Sequence, residues 1–208
     1  MSYHLASARR KSRRLPLVKG MDDTPRGKVL SAAGHLFREH GYERTTVRDI
    51  AAAVGIQSGS LFHHFASKED ILKAVMIDVI RFNTARMRNA LAEAHDPQAK
   101  LRALITCELE SIVGDTREAM AVLVHCWDSL SEDRQAEVLA LRKIYEELWL
   151  DALREAAKLN LITVDPFILR RLIAGMISWS NTWFDPRGSM SFAELIDTIL
   201  QLVTRSAR

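Results

Sequence analysis

A chain of 208 residues with 48% hydrophobic content holds enough apolar material for one or two domains with buried cores. Mean hydropathy is near zero, and no apolar run reaches the roughly 18 residues that a membrane span requires. Nor does an apolar stretch follow the basic N-terminal segment, as a secretory signal would need. The two cysteines, Cys107 and Cys126, both fall in apolar helical stretches. They read as buried thiols in a reducing compartment, so a cytoplasmic chain with no membrane partner and no disulfide framework is expected.

Charge is unevenly distributed. Residues 1–64 hold eleven Lys/Arg against five Asp/Glu, whereas residues 65–208 hold eighteen against twenty-one. A basic segment joined to a mildly acidic body suits a polyanion-binding module with a separate domain behind it. Within it, residues 1–23 are basic, poor in large apolar residues and aperiodic, and read as a flexible arm. Arg9, Arg10, Lys11, Arg13 and Arg14 of that arm could enter a DNA minor groove, where negative potential attracts arginine.

From residue 24 onward, helix punctuation recurs. Thr24-Pro25, Asp96-Pro97 and Asp165-Pro166 each place a capping side chain before a proline at the first helical position. Thr46 with Asp49, Ser67 with Asp70, Asp115 with Glu118 and Ser191 with Glu194 have capping-box spacing, and Ser131 precedes an acidic first turn. Between caps, apolar residues recur at three and four, and no alternating strand pattern competes. Helices are predicted at 25–40, 47–54, 58–64, 67–94, 97–113, 116–128, 131–159, 166–184 and 191–206, an all-α fold. The expected domains are a helix-turn-helix unit over 24–70 and a larger body over 71–208, with the helix near Ser67 shared between them.

The specific signal lies in residues 25–70. Gly41 can end the first helix in a left-handed cap. A short helix follows with Val47, Ile50, Ala51 and Val54 on one side. Gly55 allows a sharp turn, Ile56 is expected to plug the gap between helices, and Ser58 to cap a second short helix. Such a unit offers its second helix to a major groove, which is wide enough to admit one. Gln57, Ser58, Gly59, Ser60 and His63 form the polar face, small enough to let the backbone approach DNA closely.

Here the sequence resembles the tetracycline-repressor (TetR) family, through the leading helix, TTVRDIAAAVGI, SGSLFHHF and the trailing SKEDIL. The resemblance implies a homodimeric regulator, normally a repressor, with two recognition helices in successive major grooves of a pseudo-palindromic operator. It makes Arg48 a base-reading position, Thr46 a phosphate contact, Ser58, Gly59, Ser60 and His63 the recognition helix, and His64 and Lys68 backbone-gripping positions. One departure stands out: Phe62 occupies a place where the family usually has tyrosine, which removes a phosphate hydrogen bond. Phe65 reads as core, and adjacent His63 and His64 point to different sides of a helix, unlike a metal pair.

The body carries all four tryptophans: Trp127, Trp149, Trp179 and Trp183. They read either as core and dimer seam or as the lining of an apolar pocket between helices. Trp127, Tyr145, Met176, Trp179 and Trp183 are the candidate ligand contacts, with Asn181, Ser178 and His125 as further polar anchors. The last two helices are expected to form the dimer seam through Leu172, Met176, Leu195, Ile199 and Leu202. The stretch 175–195 resembles the branch of the family that responds to acyl-CoA thioesters, through its Trp183-Phe184-Asp185-Pro186-Arg187-Gly188 turn. A CoA ligand would need cations, for which Arg170, Arg171, Arg187 and Lys143 are available; a free hydrophobic compound would not. No phosphate loop, metal-spaced Cys/His set or nucleophile motif is present, so no enzyme, cofactor or metal is expected. Glu108, Glu110, Glu146 and Glu147 read as solvated faces. A helical interaction protein would explain the helices but not the helix-turn-helix.

Overall fold

The computed structural model describes residues 24–114 and 116–204. The basic arm, with the minor-groove expectation that rests on it, and Asp115 lie outside the described residues. Those residues form nine α-helices: α1 Pro25–His40, α2 Val47–Val54, α3 Ser58–Phe62, α4 Lys68–Glu93, α5 Pro97–Val113, α6 Arg117–His125, α7 Glu132–Lys158, α8 Pro166–Trp183 and α9 Phe192–Val203. A single 3-10 turn, Trp127–Ser129, links α6 to α7. Every predicted helix is found, and the all-α expectation holds.

Local chemistry sets the boundaries. Thr24 Oγ1 accepts from Gly27 N, Asp96 from Ala99 N, and Asp165 from the amides of both Phe167 and Ile168, each before a proline that has no N–H to satisfy. Complete capping boxes form at Thr46/Asp49 and Ser191/Glu194. Ser131 is an N-cap without a side-chain bond, and α6 is capped by Thr116, also without one. Two expectations at helix ends fail. Gly41 takes φ 82° but ψ 156°, outside the left-handed helical basin, while Gly55 at φ 75°, ψ 32° lies within it. Gln57 rather than Ser58 is the cap of α3, which stops at Phe62.

Packing joins the elements into two apolar cores. The first gathers Leu30, Phe37, Ile50 and Leu61 from α1–α3 around Ile71, Leu72 and Val75 of α4, and continues without a break into Val122 and Leu123 of α6. The second joins Met87 at the far half of α4 to α5, Trp149 of α7, Ile173 and Ile177 of α8, and α9. Helix α4 therefore runs through both. Burial of each large side chain stabilises the fold by about 1.5–3 kcal/mol, and Leu61→Ala, which removes the residue that pins α3, would cost about 2–5 kcal/mol. Leu195 and Ile199, expected at a seam between chains, point instead into this second core. Their period-four stripe is the one that seals α9 onto its own body, and Leu202 is on the outside.

Polar ties join the helices around the first core. Glu118 of α6 receives Arg38 and His35 of α1, both at 3.3 Å. Asp70 at the start of α4 receives Arg134 of α7 at 2.8 Å, and Glu69 Oε1 accepts from the Ser131 amide at 2.7 Å. The Arg134 hydrogen bonds hold the Asp70 carboxyl below the usual range.

Candidate nucleic-acid interface and body cavity

The surface built by α2 and α3 begins at the loop before them. Thr45, buried and not anticipated as a functional residue, donates its hydroxyl to the Gly41 and Leu36 carbonyls and fixes how the chain leaves α1. Thr46 next to it is exposed, but its hydroxyl is already used: it accepts from Asp49 N at 3.2 Å and donates to Asp49 Oδ2 at 2.7 Å. Hydrogen bonding from Thr46 lowers the pKa of Asp49. Arg48, one step into α2, is exposed, while Ile50 and Ala51 of the same helix are buried.

Left-handed Gly55 reverses the chain so that Ile56 N bonds back to Ala51 O at 3.0 Å. The same turn swings the Ile56 side chain outward to 40% exposure. Ile56 does not plug the helix gap; Leu61 and Phe65 do. Pinned by these two, α3 presents Gln57, Gly59, Ser60, Phe62, His63 and His64 to solvent, with Ser58 half-buried. A side chain at Gly59 would meet nothing within 4 Å, so no contact within the chain demands the glycine there. Lys68 is placed differently from the others: its ammonium donates to the Tyr42 carbonyl at 2.9 Å and sits 4.1 Å from the Tyr42 ring centroid. It ties α4 to the loop between α1 and α2 and is not a free surface cation.

Inside the body lies a cavity of about 630 Å³ bounded by α4, α5, α6, α7 and α8. Ile80, Ile112, Met120, Leu123, Trp127 and Leu139 supply its apolar wall. Its polar wall is an ion-pair cluster. Arg170 donates to Glu108 Oε1 at 3.1 Å and to Glu146 Oε2 at 2.8 Å, the Tyr145 hydroxyl donates to Glu108 Oε2 at 3.1 Å, and the guanidinium stacks 4.6 Å from the Trp149 ring centroid. Burial opposes the charge on Arg170, but Glu108 and Glu146 more than offset it and hold its pKa above normal. Burial raises the pKa of Glu108, with Arg170 opposing, and burial likewise pushes that of Tyr145 well up.

Of the expected ligand contacts, Trp127, Tyr145 and Ser178 line this cavity. Met176 packs into the second core instead. Trp179 and Trp183 are 67% and 53% exposed on the outer face of α8, Asn181 is exposed, and His125 belongs to a groove beside Tyr42. Glu108 is not a solvated face, and Glu146, partly exposed, turns to Arg170. Glu108 follows Leu104 by four and precedes Ile112 by four on the buried stripe of α5, a spacing that signals burial, and its charge is met by an arginine 62 positions away. Glu110 and Glu147 do lie at the surface, each paired with an arginine. Of the proposed phosphate cations, Arg170 is committed to the two glutamates, and Arg171 lies over the Phe167 ring. Arg187 is held by Asp185, the residue whose carbonyl also accepts from Gly188 N at 2.8 Å. The α8–α9 turn is thus satisfied by its own contacts, with Phe184 against Phe192.

The profile of tetracyclin repressor-like C-terminal domains matches residues 94–207, and that of bacterial regulatory proteins of the tetR family matches residues 29–75. The chain is similar to the HTH-type transcriptional repressor KstR2 of Mycolicibacterium smegmatis, 31% identical over 191 residues that cover 87% of this chain and 92% of that one. Among solved structures it resembles the superantigen PfiT, at 54% identity and TM-score 0.80, over 89% of this chain and 98% of the other. It also resembles the ketosteroid transcriptional regulator KstR2 of Mycobacterium tuberculosis, at 27% identity and TM-score 0.77, over 91% of this chain and all of the other. With both halves matched and a helix-turn-helix head on a helical body, the chain belongs to the tetR family of DNA-binding transcription regulators.

Proposed function

We propose that the chain is a homodimeric repressor that lets go of its operator when a largely apolar small molecule fills the body cavity. The observation that carries this reading is that the cavity's walls are the helices that hold the head. Asn83 and Ile80 reach it from α4, and Met120 and Leu123 from α6. The same α4 is tied to α7 through Asp70, and the same α6 to α1 through Glu118. A molecule that binds more tightly when α4 and α6 stand apart favours that arrangement and changes the spacing of the two recognition helices, a coupling worth about 1–3 kcal/mol.

At the operator, Arg48 reads a base edge and α3 enters the major groove with Gly59, Ser60 and His63, while Gln57, Ser58 and His64 meet phosphates and Thr46 sets the start of α2 through Asp49. Phe62, without a hydroxyl, offers the sugar–phosphate edge an apolar contact. Lys68 acts indirectly, by holding the loop before α2. The dimer forms through the outward face of α8, where Ile168, Leu172, Trp179 and Trp183 are all exposed.

Charge favours a neutral effector over an acyl-CoA thioester. Within the cavity Glu108, Glu146 and Asp128 outnumber Arg170 and Arg142, and Arg170 is already paired. Polyanionic CoA would need uncommitted cations near the mouth, and of the two lining arginines only exposed Arg142 is outside the ion-pair cluster. The test is to select an operator from a random DNA pool, then measure thermal stabilisation and operator release with neutral aromatic compounds beside CoA thioesters and free acids. Stabilisation and release by neutral compounds is expected. A response to thioesters alone replaces the effector class, and release by nothing in the cavity overturns the proposal.

A further inference from the structure

Asn83 is the one amide on the cavity wall that α4 supplies, in a stretch where Val79, Ile80 and Met87 are apolar core and buried Thr84 spends its hydroxyl on the Ile80 carbonyl. It is 2% exposed, its Nδ2 donates to the Met120 sulfur at 3.4 Å, and its Oδ1 has no hydrogen-bond partner among the described residues. A thioether is a weak acceptor, and a buried acceptor with no donor is unfavourable, so this amide is poorly satisfied on both sides. Two donors of the polar wall are already used: the Arg170 guanidinium is engaged by Glu108 and Glu146, and the Tyr145 hydroxyl by Glu108. Among the described residues the Asn83 carbonyl oxygen is thus a spare acceptor on the cavity wall.

We infer that Asn83 determines the specificity of the cavity, and that its occupant is a neutral apolar molecule bearing a hydroxyl group. This rests on the cavity being the effector site. A hydroxyl donates to Oδ1 and, where it displaces the flexible Met120 side chain, accepts from Nδ2 in place of sulfur. A carboxylate can only accept, and it would add negative charge beside Glu108, Glu146 and Asp128. Because Asn83 stands on α4, the same contact places the occupant's pull on the helix that joins both cores.

Equilibrium dialysis of the full chain with 4-hydroxybiphenyl, biphenyl and biphenyl-4-carboxylate tests this. The hydroxylated probe should bind about ten-fold more tightly than biphenyl, as one newly satisfied buried pair would give, with the carboxylate weakest. In Asn83→Leu that preference should vanish while biphenyl still binds, which also reports that the variant is folded. Equal binding of the two neutral probes to the wild type, an unchanged preference in Asn83→Leu, or tightest binding of the carboxylate each overturns the inference and leaves the cavity reading in place. Failure of the wild type to bind any of the three removes the cavity reading, and the inference with it. The comparison within the wild type decides the matter even if Asn83→Leu does not fold.

Discussion

Helix α8 is apolar on two sides. Leu169, Ile173 and Ile177 are buried in the second core, with Arg170, Ala174 and Ser178 beside them facing the cavity, whereas Ile168, Leu172, Trp179 and Trp183 on the other side are exposed. One charge is buried, and four large apolar side chains are not. The inward arginine is tolerable because two glutamates and two aromatic rings surround it. The outward tryptophans form an exposed apolar stripe of the kind that another surface covers. On the proposed reading α8 has two interfaces, with the polar cluster turned to the small molecule and the apolar stripe to the second copy.

Breaking the inward face should have the largest effect. Arg170→Met leaves Glu108 buried without its partner, and urea unfolding should show a loss of about 3–5 kcal/mol. Adding Glu108→Leu should recover most of that loss, because two apolar groups replace the pair; no recovery would mean that the cluster does more than neutralise itself. Breaking the outward face comes next. Trp179→Glu should cost about 2–4 kcal/mol of association, turning a dimer into a monomer in sedimentation equilibrium while the thermal unfolding of each chain changes little. If the variant stays dimeric, the stripe is not the seam.

The head sharpens the contrast, because its exposed cations should act on DNA and not on folding. Arg48→Ala should weaken operator binding by about 1–3 kcal/mol and relax the choice of base at one position, measured by fluorescence anisotropy on operator variants. Lys68→Met should leave the salt dependence of DNA binding unchanged, since its ammonium is spent on Tyr42; a slope flattened by about one would restore it as a phosphate contact. The smallest effect concerns pH. Asp70 has a lowered pKa in the fold, so its tie to Arg134 contributes stability in full above the ordinary aspartate value of about 3.9. That contribution fades as pH falls through the lower folded value. Asp70→Asn should therefore narrow its stability gap from the wild type only at the acid end of a pH series.

The head was legible almost residue by residue because its determinants are neighbours in the chain. The Thr46/Asp49 box, left-handed Gly55 and the pinned Leu61 and Phe65 are separated by a few positions each. The errors there are of direction. Ile56 was expected inward, and the Tyr42 contact of Lys68 was not foreseen, because neither the sense of a turn nor a cation's partner 26 residues back is local information. In the body, Trp127 and Tyr145 were placed on the cavity, but Trp179 and Trp183 were grouped with them on composition alone. Both aromatic sets sit at helical spacing, and periodicity cannot tell an inner stripe from an outer one.

By itself, the sequence determined nine helices with most of their caps, the helix-turn-helix and the family, since all of these follow from hydrogen bonds and periodicities spanning a handful of residues. Tertiary structure alone decided the cavity and its chemistry. Glu108 and Arg170 are 62 positions apart and Asn83 and Met120 are 37 apart. Each looks like an ordinary polar or flexible residue in its own helix. Their meaning arises only when five helices gather around one space, where a buried charge must find its opposite and a buried amide oxygen without a protein donor stands out.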